Sequence, residues 1–175
     1  MTSKKENILN AALELFALEG YYATSTSAIA KKAGVSEGLI FRHFKNKEGL
    51  LEAIFLMGEE QVKVIFADIV LEIEPKKVIE KVIDIANEIA STSESYRFWK
   101  LQYKIKWETE SYHEEKMLPV LNALKHAFET LGYEDPNSEA ALLLQILDGI
   151  ATRLFLQQNF DLTSALSHLK VKYKV

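Results

Sequence analysis

The sequence has 175 residues, of which 48% are hydrophobic and 26% charged, a composition typical of a globular protein rather than a disordered one. It contains no cysteine, which excludes a disulfide framework and a thiolate metal site. The chain has no leader-like start and no apolar run of about 18 residues, which predicts a cytoplasmic protein without a membrane span.

The net charge of −4 conceals an uneven distribution along the chain. Residues 1–50 contain seven Lys and Arg against five Asp and Glu, a balance of +2. The remainder contains fourteen against twenty, a balance of −6. Segregation of this kind favours contact with a polyanion at the N-terminal end alone.

Apolar residues recur with helical spacing along almost the whole chain, and glycine and proline are scarce. The sequence therefore predicts an all-α fold of about nine helices. The first covers Lys4–Glu19, and the second begins after the N-cap Ser25 and ends at Gly34. A short third helix, capped by Ser36, runs to Phe44.

The later helices are marked by proline and by capping residues. Asn46 is the predicted cap of a long fourth helix that runs to about Ile73, and Pro75 begins the fifth. An aromatic segment forms the sixth. The remaining signals are Pro119 for the seventh helix, Asp135 and Pro136 for the eighth, and Leu162–Leu169 for a short ninth before a basic tail.

The third helix has an unusual outward side. At about 100° per residue, Ile40 and Phe44 share the inward stripe, and the opposite side consists of Gly38, Leu39 and Arg42. Such a set suits a DNA major groove, where arginine can donate two bonds to guanine and an apolar side chain can contact a thymine methyl. Short amphipathic helices with a solvated basic rim show the same pattern, so the pattern alone leaves both interpretations open.

Two helix starts nearby are suited to phosphate. Ser25 and Ser27 open the second helix, and Lys47 lies at the start of the fourth. Free N–H groups and the helix dipole favour an anion at such positions.

Residues 4–51 resemble the N-terminal helix-turn-helix signature of TetR-family (TetR/AcrR-like) transcriptional regulators. The matching residues are Gly20, Thr24, Ser25, Ile29, Ala30, Ala33, Gly34, Val35, Ser36, Gly38, Phe41, His43, Phe44, Lys47, Glu48 and Leu50. The resemblance implies a helix-turn-helix DNA-binding domain over residues 1–50. It also implies a helical ligand-binding and dimerisation domain over residues 51–175.

The resemblance further implies a homodimer that binds a palindromic DNA operator, most often as a repressor released by a small molecule. The third helix would then be the recognition helix. The DNA-contacting candidates are Ser25, Ser27, Ser36, Gly38, Leu39, Phe41, Arg42, His43 and Lys47.

Three residues depart from the family pattern. Phe41 stands where the family commonly has a tyrosine whose hydroxyl reaches a phosphate. Ala28 replaces an acidic residue, so the second helix lacks its usual capping box. Glu37 places an anion on the recognition helix, where it disfavours phosphate but can accept a bond from a cytosine amine.

The sixth and eighth helices supply candidates for an effector pocket and a dimer interface. Six aromatic residues between Tyr96 and Tyr112 exceed what one core stripe needs, so they either line an apolar pocket or simply fill the core. The pocket candidates, for a small apolar or aromatic effector, are Trp99, Tyr103, Trp107, Tyr112, His126 and Gln145.

The eighth helix is apolar nearly all round, which indicates either a second subunit or a central position in a monomer. The interface candidates are Leu143, Leu147, Gly149, Ile150 and Leu154.

No catalytic residue, metal site or cofactor is expected, because the sequence contains neither a phosphate-binding loop nor a dinucleotide or zinc motif. An all-α enzyme that binds a small molecule, or an adaptor module without operator binding, remains the alternative function.

Overall fold

The computed structural model describes residues 3–110 and 114–175, which form nine α-helices, one short 3₁₀-helix and no β-strand. The all-α fold class is therefore confirmed. In chain order the elements are α1 (Lys4–Glu19), α2 (Thr26–Ala33), α3 (Glu37–Phe44), α4 (Lys47–Val70), α5 (Pro75–Ser91), α6 (Ser93–Thr109), the 3₁₀-helix (Glu114–Met117), α7 (Leu118–Thr130), α8 (Pro136–Leu156) and α9 (Leu162–Tyr173).

The helices pack into two compact units. The first comprises Met1–Gln61 and Ser93–Ser111, so it contains α1, α2, α3, the first part of α4, and α6. The second comprises Val62–Thr92 and Tyr112–Val175. These units are defined by packing, and they place α6 with the N-terminal helices. The division into functional domains 1–50 and 51–175 is a different kind of division and stays a prediction.

The first unit is built around α1. This helix begins with a reciprocal capping box, in which the hydroxyl of Ser3 accepts from the amide of Glu6 and the Glu6 carboxylate accepts from the amide of Ser3. It buries Ile8 and Phe16 completely and packs against α2 and α6. The α6 helix approaches α4 closely, because a Cβ at Gly58 would lie 2.0 Å from the ring of Phe98.

The α2 and α3 helices form a helix-turn-helix. The Ser25 hydroxyl accepts from the amide of Ala28 at 3.1 Å, which confirms Ser25 as the N-cap of α2. Gly34 ends α2 with a left-handed backbone, φ 66° and ψ 37°, and its amide and that of Val35 bond back to the last turn. Glycine adopts this conformation without the steric cost of a Cβ, and the turn therefore directs the chain into α3.

The junction between α3 and α4 is the tightest in the first unit. Lys45 has φ 67° and ψ −49°, which is the backbone of a strained γ-turn, and the amide of Asn46 donates to the carbonyl of Phe44 at 2.8 Å. The Asn46 side chain then caps α4 by accepting from the amide of Gly49 at 2.7 Å, as predicted. A Cβ at Gly49 would lie 2.2 Å from the Phe44 carbonyl oxygen, so only glycine fits without a shift.

The second unit has one continuous apolar core formed by α5, α7, α8 and α9 with the end of α4. Ile79, Leu124, Phe128 and Leu143 are fully buried there. At one edge the Lys170 ammonium joins α9 to α5 by ion pairs with Asp84 at 2.8 Å and Glu80 at 3.3 Å, and these carboxylates raise the pKa of Lys170.

Three predicted helix features are corrected. The fourth helix ends at Val70 rather than near Ile73, because the Glu72 carboxylate accepts from the amides of Ile73 and Glu74 and turns the chain toward Pro75. The ninth extends beyond Leu169 to Tyr173, since Tyr173 is buried in the core. Ser36 occupies the N-cap position of α3 but makes no capping bond with its side chain.

Among residues 3–110 and 114–175, no helix has the length and apolar content needed to cross a bilayer.

Candidate nucleic-acid interface

The α3 helix buries one side and turns the other to solvent. Ile40 and Phe44 are buried beneath it, as the helical spacing predicts. The outward side is formed by Gly38, Phe41, Arg42 and His43, with Leu39 half-buried at its edge. It presents a forked cation, a position without a side chain and an aromatic ring that is 45% exposed, which matches the contacts available in a major groove.

The N-terminal turn of α2 lies beside this surface in the same helix-turn-helix. Ser25 and Ser27 are both exposed, and the Ser25 oxygen that caps the helix retains its own hydroxyl proton for donation. The first turn of a helix carries amides without intrahelical partners. Groups of these kinds favour an anion at the start of a helix. We refer to Ser25, Ser27, Gly38, Phe41, Arg42 and His43 as the α2–α3 face.

Glu37 is held by a neighbour that the sequence did not point to. Its carboxylate accepts a bond from the hydroxyl of Thr26, which links the first turn of α3 to the first turn of α2. A carboxylate fixed in this way is kept in one orientation at the edge of the α2–α3 face. The spacing of eleven residues between the two side chains belongs to no recognisable sequence pattern, and for that reason Thr26 was missed.

Lys47 occupies a different environment from the one expected of a phosphate contact. Its ammonium donates to the carbonyl oxygens of Tyr21 at 2.9 Å and Thr24 at 3.1 Å, and it stands 4.4 Å from the centre of the Tyr21 ring. Burial raises the pKa of Tyr21, with a smaller contribution from the charge of Glu48. The predicted DNA-binding residue Lys47 is therefore engaged inside the first unit.

Ser36 differs from Ser25 in how its hydroxyl is used. It is exposed, and only its carbonyl takes part in the start of α3, where it accepts from the amide of Leu39 at 3.0 Å. The hydroxyl is not occupied by helix capping. The DNA-binding role of Ser36 stays a prediction.

Positive charge is concentrated in the last turns of the two helices. Lys31 is exposed near the end of α2, and Arg42 lies in the last turn of α3, where the helix dipole favours cations. Lys32 instead pairs with Glu14 at 2.9 Å, and this bond lowers the pKa of Glu14. Among the described side chains, none forms a hydrogen bond or ion pair with the guanidinium of Arg42.

Comparison with known proteins identifies this part of the chain. Residues 8–54 match the sequence model of the family described as bacterial regulatory proteins, tetR family. Over 54 residues the chain is 54% identical to the uncharacterized HTH-type transcriptional regulator YvkB of Bacillus subtilis (strain 168). Residues 8–54 therefore carry the DNA-binding domain of the tetR family. The aligned segment is 31% of this chain and 29% of YvkB, so the match covers less than a third of that relative.

Two solved structures have a similar fold along nearly the whole chain. The TetR-family regulator PfmR of Thermus thermophilus superposes with a TM-score of 0.70 at 19% identity, over 99% of this chain and 95% of PfmR. A transcriptional regulator of Saccharomonospora viridis, solved in complex with choline, gives a TM-score of 0.72 at 17% identity, over 97% of this chain and 95% of that one. At such identities the likeness concerns the fold alone.

The residues predicted to line an effector pocket do not all lie in one of the two units. Trp99 and Tyr103 are half-buried on α6 in the first unit, and Trp107 on the same helix is 76% exposed. His126 and Gln145 are exposed on α7 and α8 in the second unit. Tyr112 lies outside the described residues. A cavity in the first unit is lined by none of these residues but by Leu13, Met57, Gly58, Glu94 and Phe98.

The residues predicted for the dimer interface separate into core and surface. Leu143 is fully buried and Ile150 nearly so, because both pack into the core of the second unit. Leu147 and Leu154 are half-buried, and Gly149 is exposed with open space where a Cβ would stand. The side of α8 available to a partner is therefore the one that carries Gly149.

Proposed function

We propose that the chain is a sequence-specific DNA-binding transcriptional regulator that acts as a homodimer on a palindromic operator in the cytoplasm. The observation that carries this proposal is the α2–α3 face, in which an exposed arginine, a glycine and an aromatic ring lie on a short helix fixed by the Gly34 turn. The tetR-family match of residues 8–54 supports the same activity.

Arg42 is the residue of this face that reads a base. Its position in the last turn of α3 leaves a guanidinium without a protein partner among the described residues, and arginine can donate two parallel bonds to guanine. Phe41 supplies an apolar contact but no phosphate bond, since it lacks a hydroxyl. The phosphate contacts therefore fall to the serines and the helix N-terminus of α2.

The test is selection of genomic DNA fragments by the purified protein, followed by fluorescence anisotropy of the recovered sequence over a range of salt concentrations. A palindrome bound with a steep salt dependence is expected. Arg42→Ala should cost about 1–3 kcal/mol and relax the preference at one base position in each half-site. Lys76→Ala, which removes an exposed cation from α5 in the second unit, is the matched control and should leave binding unchanged. Weak binding without sequence preference at every salt concentration would refute the proposal.

The regulator is a repressor released by a small apolar or aromatic effector. A chain of similar fold has been solved with choline, which supports a small-molecule site in this architecture. Both tryptophans lie on α6, and α6 packs against α1, where the Lys104 ammonium donates to the carbonyl of Leu18 at 2.6 Å. A ligand that moves α6 would thus move the helix that supports α2.

Tryptophan fluorescence measures effector binding directly. In a Trp107→Phe variant the signal comes from the half-buried Trp99 alone, and effectors are expected to change its intensity. The same compounds should weaken operator binding, because an effector shifts an equilibrium only through different affinities for the two states. Compounds that bind with no effect on operator affinity would contradict the coupling.

A further inference from the structure

The ammonium of Lys47 is directed into the protein. Two of its three N–H donors are accounted for by the carbonyls of Tyr21 and Thr24, and the face of the Tyr21 ring lies 4.4 Å away. Bonds from an ammonium to a carbonyl are charge-assisted and stronger than neutral ones. The side chain is half-buried, unlike the exposed Lys45 two positions earlier.

These contacts fix the loop between α1 and α2. On the α1 side, the buried Thr24 hydroxyl donates to the carbonyl of Gly20 at 2.8 Å, and the Tyr21 ring packs edge-on against Phe16. On the other side, the first residue of α4 holds the two loop carbonyls. Thr24 directly precedes Ser25, the N-cap of α2. The bond from Lys47 to the Thr24 carbonyl therefore holds the residue directly before the cap of α2.

We infer that Lys47 is a positioning residue, which sets the phosphate-binding turn at Ser25–Ser27 without contacting phosphate itself. This inference rests on the DNA binding proposed above. A lysine that neutralises a phosphate releases a counterion and adds to the salt dependence of binding. Lys47 instead lowers the cost of binding by holding the α2 amides and hydroxyls in place before DNA arrives.

The first experiment uses the protein without DNA. Lys47→Met keeps an unbranched side chain one atom shorter than lysine but removes the two bonds, so amide hydrogen exchange between residues 21 and 28 should accelerate about tenfold or more. Lys45→Met is the matched control, since it removes an equal charge and leaves the Tyr21 and Thr24 contacts intact. Lys47→Arg, which restores donors and charge, should restore slow exchange. If Lys47→Met does not fold, Lys47→Gln replaces it. Glutamine is uncharged and one atom shorter than lysine, so its amide does not reproduce the two bonds and exchange should again accelerate.

The second experiment measures operator affinity against salt for the same variants. Lys47→Met should weaken binding about tenfold at every salt concentration and leave the slope of log K against log [salt] unchanged. Loss of a phosphate contact would instead reduce that slope by about one.

The two results together decide the role of Lys47. Unchanged exchange in the free Lys47→Met protein, combined with a slope lower by about one, would make Lys47 a phosphate contact and overturn the inference. If the wild-type protein selects no DNA at all, the proposed function fails, and there is then no phosphate-binding turn for Lys47 to position. Accelerated exchange with an unchanged slope supports the inference.

Discussion

Lys45 has the least favourable backbone of the junction between α3 and α4. Its φ of 67° lies in a region that residues with a Cβ rarely adopt, at a cost of about 1–3 kcal/mol. The conformation is imposed by its neighbours, since Asn46 must turn back to the Phe44 carbonyl and then cap α4. The sequence, with lysine at this position, gives no sign of that turn.

Lys45→Gly should therefore stabilise the protein. Glycine removes the steric strain, but it also gives the unfolded chain more conformational freedom. This added freedom offsets about 0.4–1 kcal/mol of the stability gained. The difference between the two terms gives an expected net gain of up to about 2.5 kcal/mol in the free energy of unfolding, measured by urea denaturation. Lys45→Ala is the control, because it loses the charge and keeps the Cβ. Equal stability of the two variants would show that the turn is unstrained.

Thr26 controls Glu37, the one acidic side chain of α3. The Thr26 hydroxyl holds the carboxylate in a fixed orientation, and without it the carboxylate can turn toward phosphate. Thr26→Val should lower operator affinity about threefold to tenfold, corresponding to a like-charge cost of about 1 kcal/mol at a partly hydrated site. Thr26→Ser keeps the hydroxyl and should bind as the wild type does. A loss of equal size in both variants would assign the effect to packing.

At the scale of the elements, local signals in the sequence account for most helix boundaries. Ser25, Gly34, Asn46 and Asp135 act as predicted because a cap bonds to amides or carbonyls of its own helix, within a few residues. The inward stripe of α3 follows from the 3.6-residue period for the same reason.

The features that sequence reasoning missed depend on residues far apart in the chain. Lys47 reaches Thr24 across 23 positions and Tyr21 across 26, so only the folded first unit shows that its ammonium is already engaged. Similarly, the sequence predicts only a basic tail after Leu169, but Tyr173 continues the buried spacing of Leu166 and Leu169. Periodicity indicates which side of a helix is apolar, whereas tertiary packing decides which polar groups already have hydrogen-bond partners within the protein.

The turn between α4 and α5 carries a pH-sensitive interaction. The Glu72 carboxylate accepts from the amide of Glu74, forms an ion pair with Lys81 at 3.0 Å and accepts from the amide of Ile73, which lowers its pKa from 4.5 to about 2. A lowered pKa means that the unfolded state binds the proton more readily. The stability due to Glu72 is therefore complete above pH 4.5 and is lost as the pH falls toward 2.

The urea midpoint should consequently fall between about pH 5 and pH 3, and the fall should be smaller in Glu72→Gln. Glutamine retains an oxygen for the amides but does not titrate in this range. Glu129→Gln on α7, where the carboxylate is exposed, is the control and should follow the wild type. An identical fall in all three proteins would show that other carboxylates determine the acid sensitivity.

At the scale of the whole molecule, the proposed dimer requires an apolar surface that the monomer leaves uncovered. Leu142, Gly149 and Leu156 follow one another at intervals of seven residues, or about two helical turns, and so lie on one side of α8. Leu142 is 43% exposed and Leu156 79% exposed. Leu143 lies on the adjacent side of α8 and packs into the core, so it is not available to a partner subunit. A single small helix-turn-helix makes few base contacts, whereas two of them held about 34–36 Å apart can read successive major-groove faces.

Leu156→Glu is expected to dissociate the dimer without unfolding the subunit. An unpaired carboxylate placed in an apolar interface costs several kcal/mol, whereas the same carboxylate on the free monomer is solvated. Sedimentation velocity should show the mass of one chain for this variant and of two chains for the wild type. Leu71→Glu is the matched control, because Leu71 is 78% exposed but lies directly after α4, and it should remain dimeric.

The same two variants connect assembly with DNA binding. A monomer can occupy only one half-site, so Leu156→Glu should lose most of its affinity for the intact palindrome and little of its affinity for an isolated half-site. Leu71→Glu should bind both DNAs as the wild type does. If Leu156→Glu stays dimeric, or binds the palindrome with undiminished affinity, the exposed side of α8 is not the surface that brings two DNA-binding units together.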